Sequence, residues 1–182
     1  TLAALIDHIN HHRQGHVICL EDPIEYVHRH RRCTIEQIEI GEDAPSFAEA
    51  LRNVFRQTPD VIMVGEMRDR ETIALALTLA ETGHLILATL HTQDTANAIN
   101  RVVDTFPADQ QEQILMQLSM TLVGICSQQL LITADRRRRV LACEVLKANS
   151  AIRNLIREGA IQQIYSVLQI GRSEGMQTME DS

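Results

Sequence analysis

The chain has 182 residues, room for one ordinary domain with its own hydrophobic core and marginal for two. A content of 45% hydrophobic and 23% charged residues excludes a disordered or fibrous chain. A net charge of −7 argues against a domain that wraps duplex nucleic acid, and 3% aromatics without Trp argue against a base-stacking platform. Helical character starts at the first residues, where Leu2, Leu5, Ile6 and Ile9 share one face. The chain opens inside this pattern without Met or a cap residue, so a natural start upstream is expected. Val17–Leu20 is a short apolar run that predicts a buried strand, and residues 35–40 alternate as a half-exposed strand does. Ser46 with Glu49 forms a capping box, and Phe47, Ala50, Leu51, Val54 and Phe55 recur at helical spacing until Thr58-Pro59.

Residues 60–64 (DVIMV) predict a second buried strand, and Asp69 caps a helix through Glu81 that Gly83 ends. Residues 85–90 (LILATL) predict a third buried strand. Asp94 caps the next helix, with Ile99, Val102 and Val103 inward, and Pro107 and Asp109 open another. Residues 113–134 carry no charge and end before Arg136–Arg139, the pattern of a flanked membrane span. The Gln, Ser and Thr residues within it, and the stripe Ile114, Leu115, Leu118, Leu122 and Ile125, predict instead an amphipathic helix running into a strand. Leu130–Ile132 and Val140–Val145 predict two strands joined by the charged turn. Two short helices follow, with Gly159 between them and Gly171 at the end, and residues 171–182 read as a loose polar tail. Alternating strands and helices predict an α/β fold with a mainly parallel sheet. The change of character near residue 147 divides it into an α/β domain over 1–147 and a small helical subdomain over 148–182.

Cys19, Cys33, Cys126 and Cys143 form no CxxC pair, so the sequence predicts buried thiols and neither a disulfide framework nor a structural metal. No secretory signal is visible. Two acidic clusters follow predicted buried strands: Glu21-Asp22-Pro23-Ile24-Glu25, and Gly65-Glu66-Met67-Arg68-Asp69. Ligands of open parallel sheets bind beyond the carboxyl ends of the strands. Carboxylates meeting there suit a hydrated Mg²⁺ and an oriented water, although a solvated helix cap gives the same local pattern. His84 and His91 close the two ends of one strand, about 23 Å apart at ~3.3 Å per residue, too far to share a metal. His91 falls at the ligand end and His84 at the other. His11, His12, His28 and His30 read as surface residues. The phosphate cradle Gly-x-x-x-x-Gly-Lys-Ser/Thr is missing, since the one lysine, Lys147, is followed by Ala148. The residues alone therefore supply half of a nucleotide site.

The ordered set EDPIE (21–25), DVIMVGEMRD (60–69), TGHLILATLHT (82–92) and AIRNLIRE (151–158) resembles the secretion ATPases of type IV pili and type II secretion. The resemblance runs through GMQTME (175–180), and AIRNLIRE points to the pilus-retraction branch. It implies a RecA-like ATPase core, here starting just past its P-loop, with a small helical C-terminal subdomain. Glu25 is then the catalytic glutamate that polarises water, supported by Glu21 and Asp22. Glu66 stands near Mg²⁺ in an atypical Walker B, beside Gly65 and Arg68. His84 and His91 form a His box, with His91 also supporting the nucleotide site. Ala151, Ile152, Arg153, Asn154, Leu155, Ile156, Arg157 and Glu158 form the helix that retraction needs. Arg56 and Arg68 are candidates to act between subunits.

The implied activity is ATP hydrolysis by a homo-hexamer that powers pilus retraction, with ATP and nucleotide-borne Mg²⁺. The implied partner is the pilus platform protein of the inner membrane. The implied location is cytoplasmic, peripheral at the inner face of the cytoplasmic membrane, with no transmembrane segment and no nucleic acid bound. Without its P-loop the segment alone is expected to be inactive. Three other readings stay open: a pilus-extension or type II secretion ATPase, a non-catalytic interaction module and a DNA-strand motor. Extension enzymes carry a four-cysteine metal motif whose spacing is absent here. The four arginines at 136–139 stand where the family has a short variable turn, either as a solvated tip or as a patch for lipid or an acidic partner.

Overall fold

The computed structural model describes residues 1–182 as two compact units, Thr1–Leu90 and His91–Ser182. Residue 147 lies inside the second unit.

In the first unit, β1 (Gly15–Glu21), β2 (Cys33–Glu39), β3 (Val61–Val64) and β4 (Leu85–Ala88) form one parallel sheet in the order β2-β1-β3-β4. β1 and β3 are central and their apolar runs are buried on both faces, as strands between two helical layers must be. Side chains alternate across the pleat. Ile18, Leu20, Ile62 and Val64 pack on one side with Ala50, Leu51 and Val54 of α2 (Phe47–Val54) and Leu79 of α3 (Arg70–Glu81). Val17, Cys19, Val61 and Met63 pack on the other with Ile6 of α1 (Leu2–His12). Each fully buried aliphatic side chain contributes about 1.5–3 kcal/mol. The caps are those of the sequence: Ser46 Oγ accepts from the Glu49 N–H at 3.2 Å, and Asp69 Oδ1 from the Thr72 N–H at 2.9 Å. Gly83, at φ 98°, turns the chain out of α3 in a conformation open to glycine at little cost.

One expectation here is corrected. The strand expected to be buried at 85–90 is shorter, and all four β4 residues are only half-buried. β4 is an edge strand of this sheet, and an apolar run does not reveal whether a neighbour lies on both sides.

In the second unit, α4 (Thr95–Asp104) and α5 (Ala108–Thr121) lead to an antiparallel hairpin of β5 (Gly124–Ile132) and β6 (Arg139–Lys147). α6 (Ser150–Arg157) and α7 (Ile164–Ile170) follow. The uncharged stretch is indeed a helix running into a strand, and no helix of the chain is long and apolar enough to cross a membrane. The helix ends at Thr121, so Ile125 belongs to β5 rather than to the expected helical stripe. The tail expected to be loose is ordered. Val145 and Gln177 exchange two backbone hydrogen bonds of 2.8 and 3.0 Å, so the tail pairs with β6. Met176 and Thr178 are buried there, and a Cβ at Gly171 would stand 2.7 Å from Met176 Sδ. Polar composition concealed this because main-chain pairing carries no side-chain signature. The expectation of four buried thiols also fails in part. Cys19 and Cys33 are buried in the sheet unit, whereas Cys126 is exposed and Cys143 half-exposed on the two-stranded ribbon.

Candidate functional site

Leu20 pairs with Val64, so the parallel register brings both acidic clusters to the same end of neighbouring strands. The Gly65 N–H donates to the Leu20 carbonyl at 2.8 Å. A Cβ on Gly65 would stand 3.1 Å from that oxygen and 3.5 Å from Glu21 Cα, so a residue without a side chain keeps the two segments in contact. Glu66 is largely buried, and its Oε2 lies 2.6 Å from the Arg68 guanidinium, which is mostly exposed. The hydrogen bond and charge of Glu66, with a further contribution from Asp22, hold the Arg68 guanidinium above its ordinary pKa. The charge of both clusters thus reaches the Arg68 guanidinium, which is paired only with Glu66.

Thr89, just past β4, was missed by the sequence reasoning as a site residue. Its hydroxyl donates to the Gly65 carbonyl, and its own carbonyl accepts the Met67 N–H at 3.1 Å. Its motif signalled it, but a threonine after a strand shows its bonds only once the next strand is placed.

Glu25 is exposed in the loop between β1 and β2, and polar side chains hold that loop. Gln37 donates to Glu21 Oε1 and to the Tyr26 carbonyl, both at 2.8 Å, and accepts the His28 N–H. Glu39 accepts the Ile24 N–H at 2.9 Å. Asn10, 1% exposed, donates to the Arg29 carbonyl and accepts the N–H groups of Arg31 and Cys33. These three residues also escaped the sequence reasoning, because each acts on backbone far away in sequence.

Other candidates lie elsewhere. His84 precedes β4, at the end away from Gly65, and its Nδ1 bonds the Leu79 carbonyl at 2.9 Å at the close of α3. Arg56 is exposed just after α2, in the connection that enters β3 from the end opposite to Glu66. His91 is exposed in the second unit, three residues before Asp94, the cap of α4.

Helical spacing groups Ala151, Ile152, Leu155 and Ile156 of α6 on one apolar face, but only Ile152 and Ile156 are fully buried, while Leu155 is half-buried and Ala151 exposed. A spacing of four would put Arg153 and Arg157 on one solvated side, but Arg153 is half-buried and Arg157 exposed. The Arg153 Nη1 donates to the carbonyls of Ser119 and Met120 at 2.8 and 2.7 Å, and its Nε to that of Ala148 at 3.0 Å. The last carbonyls of α5 have no helical partner and carry the negative end of the helix dipole, so they attract a guanidinium. Arg157 instead bonds Asn154, which donates to Glu158 at 2.8 Å.

The sequence model of the type II/IV secretion system proteins matches residues 1–181. The chain belongs to this family. It is 52% identical to a "Twitching motility protein" of Neisseria gonorrhoeae, over all of this chain and 49% of that protein. It is 49% identical to the "Type IV pilus retractation ATPase PilT" of Pseudomonas aeruginosa, over 99% of this chain and 52% of the other. It superposes on the crystal structure of the pilus retraction motor PilT with bound ADP at a TM-score of 0.88 and 50% identity, over 100% of this chain and 55% of that one. The chain spans about half the length of the curated relatives it matches. The α/β fold with a mainly parallel sheet, expected from the sequence, is the one found.

This type II/IV secretion system chain places carboxylates at one sheet end, but no three His, Cys, Asp or Glu side chains are grouped closely enough to hold a metal ion by themselves. Its 182 residues contain no glycine-rich cradle with lysine for the phosphates.

Proposed function

We propose that this chain is the Mg²⁺-carboxylate half of an ATPase that powers type IV pilus retraction. The observation that carries the reading is the convergence of Glu21 and Asp22 with Gly65 and Glu66 at the carboxyl ends of β1 and β3. The relatives named for twitching motility and pilus retraction support the choice of work done. Bound Mg²⁺ would neutralise charge developing on the transferred phosphoryl group. Glu66, steadied by Arg68 and by the Thr89–Gly65 bond, is the residue to hold the ion's water shell. Glu25 orients the attacking water and accepts its proton. Glu21 and Asp22 keep the strand end anionic, and His91 supports the site. His84 belongs to the His box by motif and braces α3.

The assembly we propose is a homo-hexamer at the inner face of the cytoplasmic membrane, working on the membrane platform protein of the pilus. Arg56 or Arg68 would act across subunit boundaries, and the exposed side of α6 would serve retraction. The ATPase core runs over 1–147 and a helical subdomain over 148–182. In the full-length protein, Glu25→Gln is expected to lower ATP turnover by about 10²-fold or more, while binding of a fluorescent ATP analogue persists. Cells carrying it should hold extended pili. Turnover at the wild-type rate in this variant would overturn the assignment of Glu25.

A further inference from the structure

We propose that Glu144 is a positioning residue that fixes the segment carrying His91. Glu144 lies on β6, is 4% exposed, and is the one carboxylate in a buried set that holds no Lys, Arg or His. Its Oε1 accepts both the N–H of Thr95 at 2.8 Å and the Thr95 hydroxyl at 2.7 Å. Thr95 is itself 2% exposed and is the first residue of α4.

The first amides of a helix lack helical partners and form its positive end, so a carboxylate is stabilised there. α4 already has a local cap. Asp94 accepts the N–H and the side-chain amide of Asn97, each at 2.7 Å. A cap of that kind suffices for a ten-residue surface helix. Burying a second carboxylate, brought from 49 residues away, carries a desolvation cost that only close donors offset. What the second carboxylate adds is a fixed point for the chain entering α4. His91 lies four residues before that point, and only Thr92, Gln93 and Asp94, of which Gln93 is exposed and the other two half-buried, stand between them.

The same strand ties this point to α6. Three residues after Glu144, β6 ends at Lys147, and the next carbonyl, of Ala148, accepts the Arg153 Nε. Glu144 therefore stands between the His91 segment and the AIRNLIRE helix, bonded to the first and continuous with the strand that feeds the second. The inference rests on His91 belonging to the ATP site.

Two measurements on the full-length protein test it. Amide hydrogen exchange over residues 92–97 without nucleotide should quicken at least tenfold in Glu144→Ala, and unchanged protection would overturn the proposal. Steady-state kinetics should show kcat at least tenfold lower in Glu144→Ala, with KM for ATP within about threefold. In the His91→Ala background the same change should lower kcat less than twofold further, because the group it positions is gone. A merely structural Glu144 gives equal losses in both backgrounds, and that result overturns the proposal. Thr95→Val, which removes only the hydroxyl, repeats the comparison if Glu144→Ala does not fold. Full turnover in His91→Ala alone would overturn the underlying assignment of His91, and the exchange measurement would still report on the anchor.

Discussion

Cys19 shows how one buried side chain sets a measurable property. Desolvation, with the charge of Glu21 adding to it, pushes its thiol from 9.0 up to about 12. A raised pKa means that the folded chain holds this proton more tightly than the unfolded chain does. The stability from Cys19 is therefore complete below about pH 9 and is lost as pH rises toward about 12, by about 1.4 kcal/mol per pH unit. Urea unfolding at pH 8 to 10.5 should show a shallower alkaline decline in Cys19→Ala than in the wild type. Identical slopes would mean that Cys19 ionises as freely in the fold as outside it. Exposure makes a second distinction, since a thiol reagent at pH 8 should label Cys126 well before Cys19 or Cys33. The same scale decides the character of Arg68 and Glu66. The spacing of GEMRD allows two independent surface charges, and only the fold pairs them at 2.6 Å.

Among the elements, α6 departs furthest from its helical wheel. Eight residues do not hold a helix in water, so its stability comes from what it touches. Ile152 and Ile156 enter the core, and Arg153 seals the end of α5. Arg153→Ala is expected to cost about 1.5–3 kcal/mol in chemical unfolding, as loss of hydrogen bonds from a charged donor does. Arg157→Ala should change stability by no more than about 0.5 kcal/mol. Ile156→Ala should cost about 2–5 kcal/mol, and half-buried Leu155→Ala less. Equal effects of the two arginine substitutions would refute the distinction between them. The side of the helix left for anything beyond packing is half-buried Asn154 with exposed Arg157 and Glu158, because a defect from Arg153 would first reflect lost packing. The ordered tail makes the same point, since Gln177 adds main-chain bonds to β6 that no periodicity announces.

For the whole chain, the division of chemistry is the main consequence. It carries the acidic side of the site at the end of a parallel sheet and no lysine-bearing phosphate loop. Carboxylates without a cradle repel a triphosphate, and the net charge of −7 adds to that repulsion. The 182-residue chain alone should therefore show no ATP binding by calorimetry at micromolar nucleotide. A longer form of the protein that carries such a loop should bind under the same conditions. Tight binding by the isolated chain would reveal a second phosphate site that neither its sequence nor its fold displays.

The sequence by itself determined the elements with local causes. Ser46, Asp69 and Asp94 cap the helices they announce, the apolar runs of β1 and β3 are central strands, and each acidic cluster stands at the end of its strand. Those features depend on residues a few positions apart, where backbone geometry and side-chain spacing are already fixed. The tertiary structure decided whatever depends on partners distant in sequence. It made β4 an edge strand, joined the tail to β6, turned Arg153 into α5 and put Glu144 on Thr95. Such contacts follow from pairing and packing of whole elements, and the residues that make them carry no mark of their partners in the linear chain.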